Sequence, residues 1–480
     1  MTHKVYSVVG DSAEVLAYGM AKYSRSSMSL AQSMAELSVQ RAEQFLNTFY
    51  FQYGHGSIAD LAHVALAIED ISILAALTVV DEPLWDGQER STRYQTFTKN
   101  RCYTPADAPD EYHAFMEQLF SRYADFTEHT LQMLMQQYPK PDAMAQSTYD
   151  RTMKARSFDV ARYWLPLGTL TSLGQITSAR TLEKQISRLM SHELAEIRAI
   201  ASDMRSAVVQ NDPVVFSVMK DNFHHNPGPL LPTLAKYTEA SLFLQESRKD
   251  LQQMESRLLE GILPETSYGV QLFVEQGDPL THACTVLLYG VSNLSYRQIR
   301  AVVTELTQVQ KEDILRVAFL HRGDHDAWLR ELSSAPLIFD ITMDIGSFRD
   351  LNRHRKVTKV LQNPSVALGY AIPDPIRHTP LERAYTDDMD AHFAELKRTQ
   401  TSFNDEMDYL LPLGTLCRSL HQMDLAEAAY IIELRTGSAG HFSYREIAYQ
   451  MYERIDEIYP YFAKHICVTN PREVFNPFQR

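Results

Sequence analysis

The six residues Leu165–Leu170, LPLGTL, recur letter for letter at Leu411–Leu416. An exact repeat of this kind is either a chance match or the mark of a fold containing two similar pieces. The surroundings repeat as well. A strand-like then helix-like run, HVALAIEDISILAALTVV, precedes the first copy, and APLIFDITMDIGSFRDLN precedes the second in the same order. Asp70-Ile71-Ser72 aligns with Asp344-Ile345-Gly346, and the stretch from there to the hexapeptide is longer in the first copy than in the second. Asn226–Thr233, NPGPLLPT, cannot continue a helix and falls near the chain midpoint. The expected organisation is two tandem domains, 1–228 and 229–480, of α+β class, helix-rich around a small sheet. Ala62–Ile68 and Leu337–Met343 are the clearest strands. The apolar spacing of Leu416, Leu420, Met423, Tyr430 and Leu434 predicts a helix opened by the proline turn of the hexapeptide.

Composition narrows the function. The net charge of −14 disfavours general nucleic-acid or anionic-membrane binding, which rests on accumulated Lys and Arg. Four cysteines without a CxxC pair point away from a disulfide framework or zinc ribbon, and no metal site is expected. The chain shows no signal-peptide pattern and no membrane-length apolar run, so a cytoplasmic protein is expected.

Four short stretches can carry chemistry. In QERSTRY, Gln88–Tyr94, an extended backbone would place Glu89, Ser91 and Arg93 on one face, a set able to hold a phosphorylated sugar; a solvated loop is the plain alternative. In NRHRKVTK, Asn352–Lys359, Arg353, His354 and Arg355 form a candidate anion site or a basic surface patch. The first copy has Val79-Val80-Asp81 at the corresponding place, which binds no anion. Gly54-His55-Gly56-Ser57 allows close backbone approach to a ligand. Finally, Arg435 ends a helix and His441 starts another, either as dipole and first-turn residues or as functional groups.

Together these pieces resemble the flavin-dependent thymidylate synthases. That family carries R-H-R followed closely by E-x-S-x-R-Y, with a G-H turn upstream and an R-x-x-L-P-L entry and a late L-R downstream. Here the signature is divided: Glu89–Tyr94 matches one half and Arg353–Arg355 the other. Arg162 precedes the first LPL, whereas Asp408 precedes the second; Arg435 follows the second, whereas Leu189 follows the first. The resemblance implies FAD, with NADPH and methylenetetrahydrofolate as co-substrates, in the C5 methylation of dUMP or another pyrimidine nucleotide, at one active site shared by the two halves. A catalytically silent nucleotide-binding homologue is the remaining alternative. It implies a catalytic, nucleotide-stabilising Arg435; nucleotide contacts from Glu89, Ser91, Thr92, Arg93 and Arg162; and flavin contacts from His55, Ser57, Glu89, Ser178, Arg180, Arg353, His354, Arg355 and His441. Departures include Asp350 in place of a nucleotide-contacting glutamine, Thr358 in place of a serine, Tyr430 in place of a flavin-contacting asparagine and a longer loop at 436–441. A homodimer rebuilding a four-domain assembly is the implied oligomer.

Overall fold

The structure is a computed structural model. It describes residues 13, 17, 58–93, 95–99, 101–209, 230–231, 233–258, 266–273, 278–323, 326–334, 336–399, 405–473 and 477–478. His55, Ser57, Tyr94 and the 228/229 boundary lie outside the described residues. The chain divides into two compact units: residues 1–90 with 170–262, and residues 91–169 with 263–480. The segment between the first E-x-S-x-R-Y motif and the first hexapeptide thus belongs to the same unit as most of the second half.

The first unit holds a three-stranded antiparallel sheet in the order β1 (His63–Ser72), β3 (Leu170–Ser178), β2 (Asp86–Glu89). β1 contains most of the strand expected at Ala62–Ile68. It feeds the helix Ile73–Val79, whose N-terminus is capped by Ser72: its hydroxyl accepts from the Ala75 amide and donates to Glu196 at 2.7 Å. β3 feeds the helix Ala179–Met190, capped in the same way by Ser178.

The second unit repeats this plan. Its antiparallel sheet runs β4 (Gly269–Phe273), β5 (Pro336–Asp344), β7 (Leu416–Asp424), β6 (Thr358–Leu361). β5 contains the strand expected at Leu337–Met343 and feeds the helix Ile345–Leu351, capped by Asp344; β7 feeds the helix Leu425–Thr436, capped by Asp424. The caps give the true correspondence between copies. Ser72 is the counterpart of Asp344, and Ser178 is the counterpart of Asp424. The alignment of Asp70 with Asp344 therefore falls two positions short of the first cap. An irregularity in β1 between Ile68 and Ile71, with Asp70 at a φ of 54°, shifts the register there. The counterpart of Arg353–Arg355 becomes Asp81–Pro83, which also lacks a cation.

The hexapeptide does not open a helix. Its last leucine is the first residue of a strand in both copies. Leu420, which completed the helical spacing, is 40 % exposed, and β7 is hydrogen-bonded on both edges, to β5 and β6. Tertiary pairing here overrides an apparent helical period.

The segments up to Thr169 and Thr415 in the two hexapeptides lie against each other within the second unit. The Leu167 amide donates to the Leu411 carbonyl and the Leu413 amide to the Leu165 carbonyl, each at 2.9 Å. The Gly168 amide donates to the Tyr409 carbonyl at 2.8 Å and the Gly414 amide to the Tyr163 carbonyl at 3.1 Å. Interchanging the two copies turns each bond of a pair into the other, the signature of a local two-fold axis. The repeat is thus a self-complementary seam. Its glycines permit the approach: a Cβ on Gly414 would stand 2.9 Å from both Tyr163 Cδ1 and the Tyr385 hydroxyl. Gly414→Ala is expected to destabilise the protein by about 1–3 kcal/mol through overpacking, read as a lower urea midpoint.

Candidate active site

The site is assembled within the second unit. The turn after β2 contributes Thr92 and Arg93, the helix Gln146–Ala161 contributes Asp159, and the 3₁₀ turn leading into the first hexapeptide contributes Arg162. The helix Ile345–Leu351 and the loop after it supply Arg349, Asp350, Arg353 and His354. The last turn of Leu425–Thr436 supplies Arg435, and the start of Phe442–Ile458 supplies His441 and Tyr444.

Two carboxylates organise the arginines. Asp159 grips Arg93 in a bidentate pair, 2.7 Å to Nε and 3.0 Å to Nη2, with both side chains buried. Arg93 Nη1 also reaches the Tyr444 hydroxyl at 3.5 Å and Nη2 the Ala439 carbonyl at 3.4 Å. Asp350 lies 3.3 Å from Arg162 Nη1 and 3.4 Å from Arg353 Nη2. Burial raises its pKa, but Arg162, Arg353, Arg93 and His441 outweigh it and hold the carboxyl down to about 2. Its ionised form therefore stabilises the fold above the ordinary aspartate pKa near 4, and this contribution is lost as pH falls through about 2. Asp350→Asn is expected to remove about 2 kcal/mol of acid-sensitive stability between pH 4 and 2, measured as the difference between the two proteins in urea midpoint against pH.

The donors outnumber the acceptors. Arg162 is 2 % exposed, yet its Nε and Nη2 are without a hydrogen-bond partner among the described residues, as is Arg353 Nε. A Cβ on Gly346 would stand 3.3 Å from Arg162 Nη2, so glycine makes room for this guanidinium. Thr92 Oγ1 is 3.5 Å from Arg162 Nη1 and 3.3 Å from Arg349 Nη1. Arg435 is held at one end: its Nε donates to His354 Nε2 at 2.8 Å, and its guanidinium lies 5.4 Å over the Tyr444 ring. Its two terminal nitrogens make no hydrogen bond among the described residues. His354 is buried, which lowers its pKa and keeps it neutral. Since Nε2 accepts from Arg435, the proton sits on Nδ1, 3.7 Å from Glu427. Glu427, His354 and Arg435 thus form an orienting chain.

His441 is fully buried rather than a first-turn surface residue. Its Nε2–H donates to the Asp159 carbonyl at 2.8 Å, and Nδ1 accepts from the Ser443 amide at 3.2 Å. Burial and the nearby Arg162 and Arg93 push its pKa well down. Both ring nitrogens are engaged, and no part of the side chain is exposed.

Five of the described candidates remain. β2 ends at Glu89, and Ser91–Arg93 form a turn in which Ser91 Oγ accepts from the Arg93 amide at 3.1 Å. Strand alternation does not carry from Glu89 to Arg93. Glu89, Ser178 and Arg180 belong to the first unit. Ser178 caps its helix, and Arg180 pairs with Asp60 at 2.9 Å. Arg355 is half-buried. Among the described residues there is no group of three or more His, Cys, Asp or Glu able to hold a metal. Sequence reasoning missed Asp159, Arg349, Glu427 and Tyr444. Of these, Asp159 alone had a local signal, a carboxylate one helical turn before Arg162.

Residues 6–214 and 287–461 match the family described as thymidylate synthase complementing protein. The chain belongs to this family. The match in two segments, together with the seam at the hexapeptides, fits a duplicated domain. Among curated relatives, a UPF0159 protein of Chlamydia muridarum (strain MoPn / Nigg) is 27 % identical over 90 % of this chain and 82 % of its own. A UPF0159 protein of Thermoplasma acidophilum is 22 % identical over 92 % of this chain and 93 % of its own. A solved structure, a UMP/dUMP methylase from Streptomyces cacaoi bound with 5-Br dUMP, overlays 42 % of this chain and 95 % of its own at 13 % identity and a TM-score of 0.33. Within this thymidylate synthase complementing family member, Arg93 and Arg162 come from the first copy and Arg353, His354 and Arg435 from the second. No helix among the described residues is long and apolar enough to cross a membrane.

Proposed function

We propose that this chain methylates C5 of a pyrimidine nucleotide, in the first instance dUMP to dTMP, at one site that draws on both copies. The observation that carries this reading is the state of Arg162 and Arg435 among the described residues: one is buried with two unpartnered nitrogens, the other is anchored by Nε with its terminal nitrogens free. Free guanidinium donors suit the phosphate and developing negative charge of a nucleotide. Membership of the family supplies the reaction class.

The same donor set fits a phosphorylated cofactor, and Arg353, His354 and Arg355 would hold FAD. Bound FAD, reduced by NADPH, would supply hydride, with methylenetetrahydrofolate as the source of carbon. The protein's own residues bind and orient. Arg162 and Thr92 hold the nucleotide; Arg93, locked to Asp159, fixes the floor of the site. Arg435, aimed by His354 and Glu427, stabilises the pyrimidine as it gains charge. Two chains would complete a four-domain assembly.

The ionised Asp350 favours a second reading, in which the base offers it an amino donor, as dCMP does. Calorimetry with dUMP and dCMP separates the two. The lead reading expects micromolar dUMP binding that Arg162→Ala abolishes; binding of dCMP alone supports the second, and binding of neither refutes both.

A further inference from the structure

A cavity of about 880 Å³ lies within the second unit, and none of the nucleotide- or flavin-assigned residues line it. Its volume is within the range of small-molecule sites. Aromatic rings form much of its wall: Tyr138, Tyr163, Tyr268, Tyr370 and Phe442. Tyr163 and Phe442 stack on each other with centroids 6.0 Å apart.

Among the described residues, the arginines on this wall are paired with carboxylates, with one exception. Arg156 lies 3.7 Å from Asp159, which is itself gripped by Arg93. Arg377 lies 3.7 Å from Asp374, and Arg472 lies 2.6 Å from Glu446. Arg445 has no carboxylate. It is 7 % exposed, its Nε donates to the Thr436 carbonyl at 2.9 Å, and its two terminal nitrogens make no hydrogen bond or ion pair among the described residues. Burial lowers its pKa without an acidic neighbour to restore it. These terminal nitrogens are not among the enclosed, unpartnered polar atoms, so an anion can reach them without displacing a protein partner.

We propose that this cavity binds a small aromatic anion, its ring against the tyrosines and its single carboxylate or phosphate on the free edge of Arg445. This goes beyond the nucleotide reading and does not depend on it. Asp159 is the shared wall: it lines the cavity and also holds Arg93.

The test is calorimetry on the full chain with two probes, 4-aminobenzoate and 4-nitrophenyl phosphate, which separate carboxylate from phosphate as the anion. Acetate and inorganic phosphate serve as ringless controls. At least one probe is expected to bind more tightly than either control. Arg445→Gln should weaken it about tenfold, the usual cost of a charge-assisted contact, and Arg445→Lys should restore most of the loss. Arg353→Ala should leave it unchanged, and a loss there would place the probe in the arginine cluster instead and overturn the assignment. Should Arg445→Gln lose its near-UV circular dichroism, Tyr268→Ala, at a ring 41 % exposed, replaces it, with about a fivefold loss expected. Absence of binding by both probes, or unchanged affinity in a folded variant, refutes the proposal.

Discussion

Arg435→Ala is expected to lower the turnover of nucleotide methylation by about 10² to 10³, with nucleotide affinity falling far less. The effect follows from how the side chain is held. Its Nε is fixed by His354, which is fixed in turn by Glu427, so the terminal nitrogens are preorganised before a substrate arrives. Preorganised charge stabilises developing negative charge without reorganisation during the reaction, and its loss therefore appears in kcat rather than KM. His354→Gln should reproduce part of the defect by releasing Arg435. Asp81→Ala provides the contrast. Asp81 is exposed and corresponds to Arg353 in the other copy, so its replacement should leave turnover within about twofold. Steady-state kinetics of the three variants, with equal folding checked by circular dichroism, decide the matter.

Arg93→Met is expected to cost about 3–5 kcal/mol of stability, because it strips the bidentate partner from Asp159, which is buried. Arg156, 3.7 Å away, recovers only part of that interaction. The double variant Arg93→Met with Asp159→Asn should recover at least half of the loss, since the uncompensated charge is gone. Urea denaturation of both variants measures it. Equal loss in the two would mean that Arg93 acts through packing rather than by neutralising Asp159. In either case the activity loss of Arg93 variants has a structural component, unlike that of Arg435.

Much of this arrangement was legible in the residues. The repeated hexapeptide gave the duplication, and the alternating apolar runs around Val64 and Phe339 gave β1 and β5. The division of the motif between Arg93 and Arg353 anticipated that residues of both copies would meet. Three features were hidden, each for a physical reason. Leu420 mimics a helical period because it is an apolar residue on the exposed face of a strand that otherwise alternates buried and exposed. The irregularity near Asp70 displaces the alignment of the copies from Ser72 to Asp70, and a bulge has no sequence mark of its own. The partners Asp159 and Glu427 are ordinary acidic residues on helices, and their importance comes only from what the fold sets beside them. The same is true of Arg445, whose isolation from carboxylates among the described residues is a property of three-dimensional neighbours.

The most direct measurement of the central claim is the mass of the nucleotide recovered after incubating the full chain with dUMP, FAD, NADPH and methylenetetrahydrofolate. The expected product is heavier by one methylene unit, modified at C5, formed by the wild-type chain and lost in Arg435→Ala. Recovery of unmodified dUMP, and of unmodified dCMP in the parallel reaction, from a chain that binds both nucleotide and FAD would contradict it.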